Sequence, residues 1–120
     1  MNSDLTSVEA MIPLPPATFH ILMAVTEEER HGYAIIQHVE IATGGDLRLS
    51  AGTLYRSVAR MLEQGLIVES TKRPAKIADD PRRRYYRITP FGKAVARAET
   101  RRLMELVRLA RAKGLVPERA

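Results

Sequence analysis

The stretch from Leu49 to Ile67 leaves the rest of the chain few choices. Ser50 carries a hydroxyl that can accept from a backbone N–H in a new first turn, so a helix is expected to start just after it. Gly65 is the matching stop, because glycine takes the left-handed conformation past a last turn without a Cβ clash. Between them Leu54, Val58, Met61 and Leu62 recur at helical spacing as one apolar stripe. Thr53, Arg56, Arg60 and Glu63 occupy the far side of the same wheel. From Leu66 to Ser70 the chain turns β-branched, so a strand should follow directly. A helix of this kind needs a core beneath it and leaves its polar front to solvent.

The remaining segments are expected to build that core. Residues 1–13 have weak periodicity and are expected to form a flexible leader, with at most a short helical turn after Asp4. Pro16 can open a first core helix, since a proline at the first helical position loses no hydrogen bond. Ala17 to Val25 is apolar nearly all round and should be buried, with Thr26 to Arg30 a polar connection. His31 to Ala42 reads as a second, amphipathic helix with Tyr33, Ile36, Val39 and Glu40 in its stripe, widened by Ile35 and Ala42. Thr43, Gly44 and Gly45 end that helix. The alternation over Asp46 to Leu49 predicts one short strand.

Beyond the capped helix, Ile67 to Thr71 and Arg84 to Ile88 should pair as an antiparallel hairpin. The loop between them holds Pro74 and Pro81 and cannot be helical. Tyr86 and Ile88 should share one face of the second strand, with Tyr85 on the other; packing of Tyr86 on the core is the preferred reading. Thr89 and Pro90 repeat the cap-then-proline signal and open a last helix that Gly114 stops. Phe91, Val95, Ala98, Leu106 and Leu109 share a face of it, with Leu103 and Ala110 at its edge and Arg102 interrupting the stripe.

Charge is concentrated in the hairpin. Lys72, Arg73, Lys76, Arg82, Arg83, Arg84 and Arg87 stand against only Asp79 and Asp80, a local excess equal to the +5 of all 120 residues. An anionic partner is implied. Cysteine is absent, which excludes disulfides and thiol chemistry. There is no phosphate-cradling glycine loop and no nucleophile motif, so catalysis is not expected. His31 and His38 are seven apart, whereas metal pairs use three- or four-residue spacing, so neither a metal nor another cofactor is expected. With no apolar run of membrane length, no membrane partner is expected and the cytoplasm is the default location.

The order of elements predicts a mainly α chain with a small β-hairpin: a winged helix-turn-helix followed by a C-terminal helix. In that architecture the third helix can enter the major groove, whose width admits one helix. Arg56 and Arg60 lie one turn apart on its front and can grip guanine or clamp phosphate. Ser50, Ala51 and Thr53 sit at its amino end, where hydroxyls and N–H groups suit a phosphate oxygen, and Tyr55 lies on the flank. The wing cations Lys72, Arg73, Lys76, Arg82 and Arg83 should neutralise phosphates and release counterions. Plain solvated arginines and a charged loop are the bland alternative.

Four motifs resemble the PadR family of transcriptional regulators. They are His31-Gly32-Tyr33-Ala34-Ile35, Gly52-Thr53-Leu54-Tyr55-Arg56, Leu62-Glu63-Gln64-Gly65-Leu66-Ile67 and Arg83-Arg84-Tyr85-Tyr86-Arg87-Ile88-Thr89. They occur in the family's order, and the likeness runs from about residue 14 to residue 112. It implies a homodimeric repressor on a palindromic operator in double-stranded DNA, dimerised through the C-terminal helix. Phe91, Val95, Ala98, Leu103, Leu106, Leu109 and Ala110 would form the interface. A single C-terminal helix is similar to the family's compact subgroup. Some relatives hold a flat aromatic effector against tryptophans; this chain has no Trp, which leaves the identity of any small-molecule effector open. The expected division is a leader over 1–13, a DNA-binding domain over 14–89, a dimerisation helix over 90–113 and a tail over 114–120. A winged-helix protein–protein adaptor that has lost DNA is the competing reading.

Overall fold

A computed structural model describes residues 3–70 and 83–117, with side chains from Ser7 onward. The first departure from expectation lies at the amino end. Helix α1 (Ser3–Met11) stands where a flexible leader was expected, and it lies against the C-terminal helix. Val8, and Leu14 just beyond the helix, are buried in the main core. Their signal is thin because one contact row of a short helix carries too few apolar residues to show a period.

Helix α2 (Pro16–Ala24) opens with its proline in the first turn, as expected, and buries Ile21, Leu22 and Ala24. The expected strand over Asp46 to Leu49 is not formed. That segment has no regular structure, although Leu49 is buried and Leu47 packs on the core. Alternation therefore marked an extended segment with one side inward but no ladder partner. The strand lies instead at β1 (Arg30–His31), where the expected polar connection meets the expected start of the second helix. Two residues are too few to carry any periodicity.

Helix α3 (Gly32–Ala42) buries Gly32, Ile35 and Val39, while Tyr33 faces solvent, one position off the stripe expected. After it the Thr43 hydroxyl donates to the Val39 carbonyl at 2.9 Å and accepts the Leu47 amide at 3.0 Å. Gly44 and Gly45, with φ of 62° and 88°, turn the chain toward helix α4 (Ala51–Glu63). Strands β2 (Ile67–Glu69) and β3 (Tyr85–Ile88) form the expected antiparallel hairpin, with Ile67 opposite Ile88 and Glu69 opposite Tyr86. Strand β1 adds to the other edge of β3, giving the order β1-β3-β2.

Helix α5 (Pro90–Ala112) starts where the sequence indicates: the Thr89 hydroxyl accepts the Gly92 amide at 2.8 Å, and Gly114 takes φ of 76° past the end. The Thr89 hydroxyl also donates to the Gly65 carbonyl at 2.6 Å, which docks the start of α5 on the end of α4. The core lies where α2, α3 and α4 converge under the sheet and the first half of α5. The architecture is a winged helix-turn-helix, mainly α, with a small three-stranded sheet and a C-terminal helix.

Candidate nucleic-acid interface

The amino end of α4 is built from short side chains. The Ser50 hydroxyl accepts the Thr53 amide at 3.1 Å, and the two hydroxyls lie 3.1 Å apart. Arg56 Nη2 reaches back to Thr53 Oγ1 at 3.4 Å. One leading amide is thus capped, leaving others of the first turn for an acceptor from outside. Leu54, Val58 and Met61 are buried on the back of the helix, and this one-sided anchoring fixes which residues face outward. Ala51, Tyr55, Arg56, Arg60 and Glu63 are all exposed. Leu62, expected in the buried stripe, stands at its edge and is also exposed.

The wing is secured at its base. The Ser70 hydroxyl donates to Glu29 Oε1 at 2.8 Å, and Arg84 pairs with Glu69 at 3.7 Å. Tyr86 packs in the core, as the preferred reading had it. Tyr85, on the opposite side of the strand, is buried as well: its ring meets His31 edge-on, with centroids 5.3 Å apart. Of the expected wing contacts, Lys72, Arg73, Lys76 and Arg82 lie outside the described residues; Arg83 is exposed at the strand's approach.

Between the wing base and the two central helices lies a cleft of about 330 Å3. His31, Gly32 and Tyr33 supply one wall, Tyr55 another, and Arg83, Arg84 and Tyr86 the third. His31 is the N-cap of α3, its Nδ1 accepting the Ala34 amide at 3.2 Å. Burial first, then the Glu69 carboxylate and Tyr55, push the Tyr86 hydroxyl above the ordinary tyrosine range, with Arg84 opposing, so it stays protonated. His31, Gly32, Tyr33, Arg84 and Tyr86 were not among the expected contacts. Three segments far apart in sequence meet here, and no local pattern announces such a meeting.

The expected dimer face divides in two. Val95 and Ala98 are buried within the chain's own core, and Phe91 packs against it. The first half of α5 thus turns much of that face to the chain's own core, packing among α1, α2 and the sheet. Past Glu99 the helix outruns the core, and Leu103, Leu106 and Leu109 are exposed, as are Met104 and Val107, with Ala110 half-buried. At the changeover Glu99 is buried and accepts two hydrogen bonds from Arg102, both at 2.8 Å. The interrupting arginine thus pairs along its own helix.

No helix of the described residues is long and apolar enough to cross a membrane.

A family model described as the transcriptional regulator PadR-like family matches residues 21–98. The chain is 37% identical to a transcriptional regulator of Mycobacterium tuberculosis over 89 residues, 74% of this chain and 77% of that one. A protein of Lysinibacillus sphaericus is 35% identical over 74 residues, 62% of this chain; the match spans just under two thirds of that protein's length, 65%. Among solved structures, a transcriptional regulator from Clostridium thermocellum aligns with a TM-score of 0.66 and 26% identity, covering 94% of this chain and 96% of that one. The Bacillus subtilis PadR, solved in complex with operator DNA, shares the fold with a TM-score of 0.58 and 20% identity, over 72% of this chain and 47% of that one. With α4 so presented and these relatives matched, the chain belongs to the PadR-like family of transcriptional regulators.

Proposed function

We propose that this chain is a sequence-specific regulator, acting as a repressor, that binds a palindromic operator as a homodimer. The observation that carries the reading is α4 itself. Its back is locked into the core, so Arg56 and Arg60 point outward from a rigid element rather than from a loop. That geometry suits major-groove entry, with Ser50, Ala51 and Thr53 at the end that approaches phosphate. The wing, with Arg83 at its base and Lys72, Arg73, Lys76 and Arg82 beyond, supplies phosphate neutralisation. That the Bacillus subtilis relative was solved with operator DNA supports a DNA partner. The exposed apolar row on the second half of α5 supports the dimer, because a row of that length is better covered than left wet.

Retardation of the duplex upstream of the chain's own gene, followed against salt, tests the reading. Retention should exceed that of random duplex, and log affinity should fall by roughly 0.9 per phosphate neutralised for each unit of log salt. Equal retention of both duplexes removes sequence specificity. No retention of either leaves the protein–protein adaptor.

A further inference from the structure

We propose that the cleft at the amino end of α3 is a phosphate seat. It takes one backbone phosphodiester of the bound duplex, held by the Tyr86 and Tyr55 hydroxyls, the leading amides of α3 and Arg84. The inference rests on the DNA-binding reading above and adds a contact that neither the front of α4 nor the wing tip makes.

Tyr86 is the first support. Its side chain is 4% exposed, yet among the described residues its hydroxyl has no hydrogen-bond partner. No wholly buried polar side-chain atom in the described residues lacks a partner, so this hydroxyl opens onto the cleft the residue lines. A buried tyrosine normally pairs its oxygen, and a phenylalanine would pack as well if packing were the whole role. Kept protonated by burial and by Glu69, the group is a donor, which is what a phosphate oxygen requires.

The second support is independent. Helix α3 runs for 11 residues and points its amino end into the same space, where its dipole and leading N–H groups favour an anion. His31 caps the Ala34 amide, in the third position of the helix, and the first-turn amides before it are the ones that face an incoming anion. Gly32 adds no Cβ, so the end of the Tyr55 ring rests directly over this turn. The charged side chains lining the cleft are Arg83 and Arg84; Glu69 is not a lining residue, although it pairs with Arg84 at 3.7 Å and its charge reaches the Tyr86 hydroxyl.

A duplex is favoured over a free anion by position. Tyr55 belongs both to the cleft and to the outward side of α4, next to Arg56. An anion seated here therefore lies at the border of the face that would enter the groove, where the backbone runs.

The test uses the full chain and Tyr86→Phe, which deletes an oxygen that no group among the described residues hydrogen-bonds, so the melting temperature should hold. Two duplexes are compared at equal salt: the one the wild-type protein selects from a random pool, and a scrambled one. Affinity should fall about ten-fold on both, as expected for one charge-assisted hydrogen bond, leaving their ratio unchanged. Single methylphosphonate substitutions should then weaken wild type at one position per half-site and leave Tyr86→Phe indifferent there. Unchanged affinity of Tyr86→Phe on both duplexes overturns the seat while leaving the regulator reading intact. If inorganic phosphate shifts the Tyr86 ring signals but no methylphosphonate position matters, the site is a free-anion site and the duplex assignment fails. If the pool yields no preferred sequence, the specific-regulator reading fails, and the scrambled duplex still decides the seat.

Discussion

The end of the Tyr55 ring on α4 rests against the Cα of Gly32, the first residue of α3. A Cβ built at position 32 would lie 2.9 Å from Tyr55 Cζ and 3.0 Å from Leu54 Cδ2. The two helices thus meet through an absent side chain, and the meeting fixes where the tyrosine hydroxyl stands.

Gly32→Ala should separate stability from binding. The obstructing atoms are the ends of side chains, and alanine in a helix gains roughly 0.5–1 kcal/mol over glycine, so unfolding free energy should change by no more than about 1 kcal/mol. Tyr55 must swing away, however, and affinity for duplex DNA should fall several-fold. Denaturant unfolding alongside DNA titration checks this; unchanged affinity would show that the position of Tyr55 does not matter.

Gly92→Ala meets a different obstacle. A Cβ there would collide with the Leu66 carbonyl oxygen, which is backbone and also accepts the Thr89 amide at 3.1 Å. Nothing there can rotate aside, so α5 must shift off the end of α4. A loss of roughly 2–3 kcal/mol is expected, at the upper end for an overpacked site, read as a lower denaturation midpoint.

These two glycines mark how far the sequence could be read. Ser50, Gly65, Pro16 and Thr89 announce helix ends because a cap is local chemistry, complete within four residues, and each stands where it was expected. The back of α4 was equally legible, apart from Leu62 at its edge. What stayed hidden depends on residues far apart. Arg30 and His31 become a strand only because Tyr86 and Tyr85 lie beside them. The face of α5 from Phe91 to Ala110 reads as one stripe broken only by Arg102, yet its division into core and exposed halves depends on where the other elements pack against it. The cleft joins residues 31–33, 55 and 83–86, a grouping that periodicity does not encode.

Glu99 should make stability acid-sensitive at the point where α5 leaves the core. Hydrogen bonds from Arg102, with further help from the Leu14 amide and the arginine's charge, hold its carboxyl below the ordinary glutamate range despite burial. A carboxylate with a depressed folded-state pKa contributes stability that is complete above the unfolded-state value near 4.5 and is lost as pH falls through the lower folded-state value. Glu99→Gln should therefore lower the melting temperature at neutral pH and flatten its decline on acidification. Glu105, held down by Arg108 in the same way but exposed, is the control: Glu105→Gln should change the acid limb much less. Parallel acid limbs for wild type and Glu99→Gln would show that Glu99 is not the source.

Arg60→Ala distinguishes reading from holding. A bidentate grip on a base should cost about 1–3 kcal/mol on the selected duplex and little on random DNA. A phosphate contact would weaken both equally and reduce the salt slope by about one. Titrations of the two duplexes at several salt concentrations distinguish the outcomes.

Leu106 tests the assembly. Its side chain is 49% exposed on the part of α5 that has left the core, beside Leu103 and Leu109, so a charge there meets no buried contact within the chain. Leu106→Glu should leave the monomer's unfolding nearly unchanged. In a two-fold interface each substitution appears twice and the two carboxylates face a shared apolar seam, so dimer dissociation and operator affinity should weaken together. Val95→Glu is the contrast: buried in the protomer's own core, it should unfold the chain rather than merely dissociate it. Sedimentation of Leu106→Glu as an intact dimer would place the interface elsewhere on the molecule.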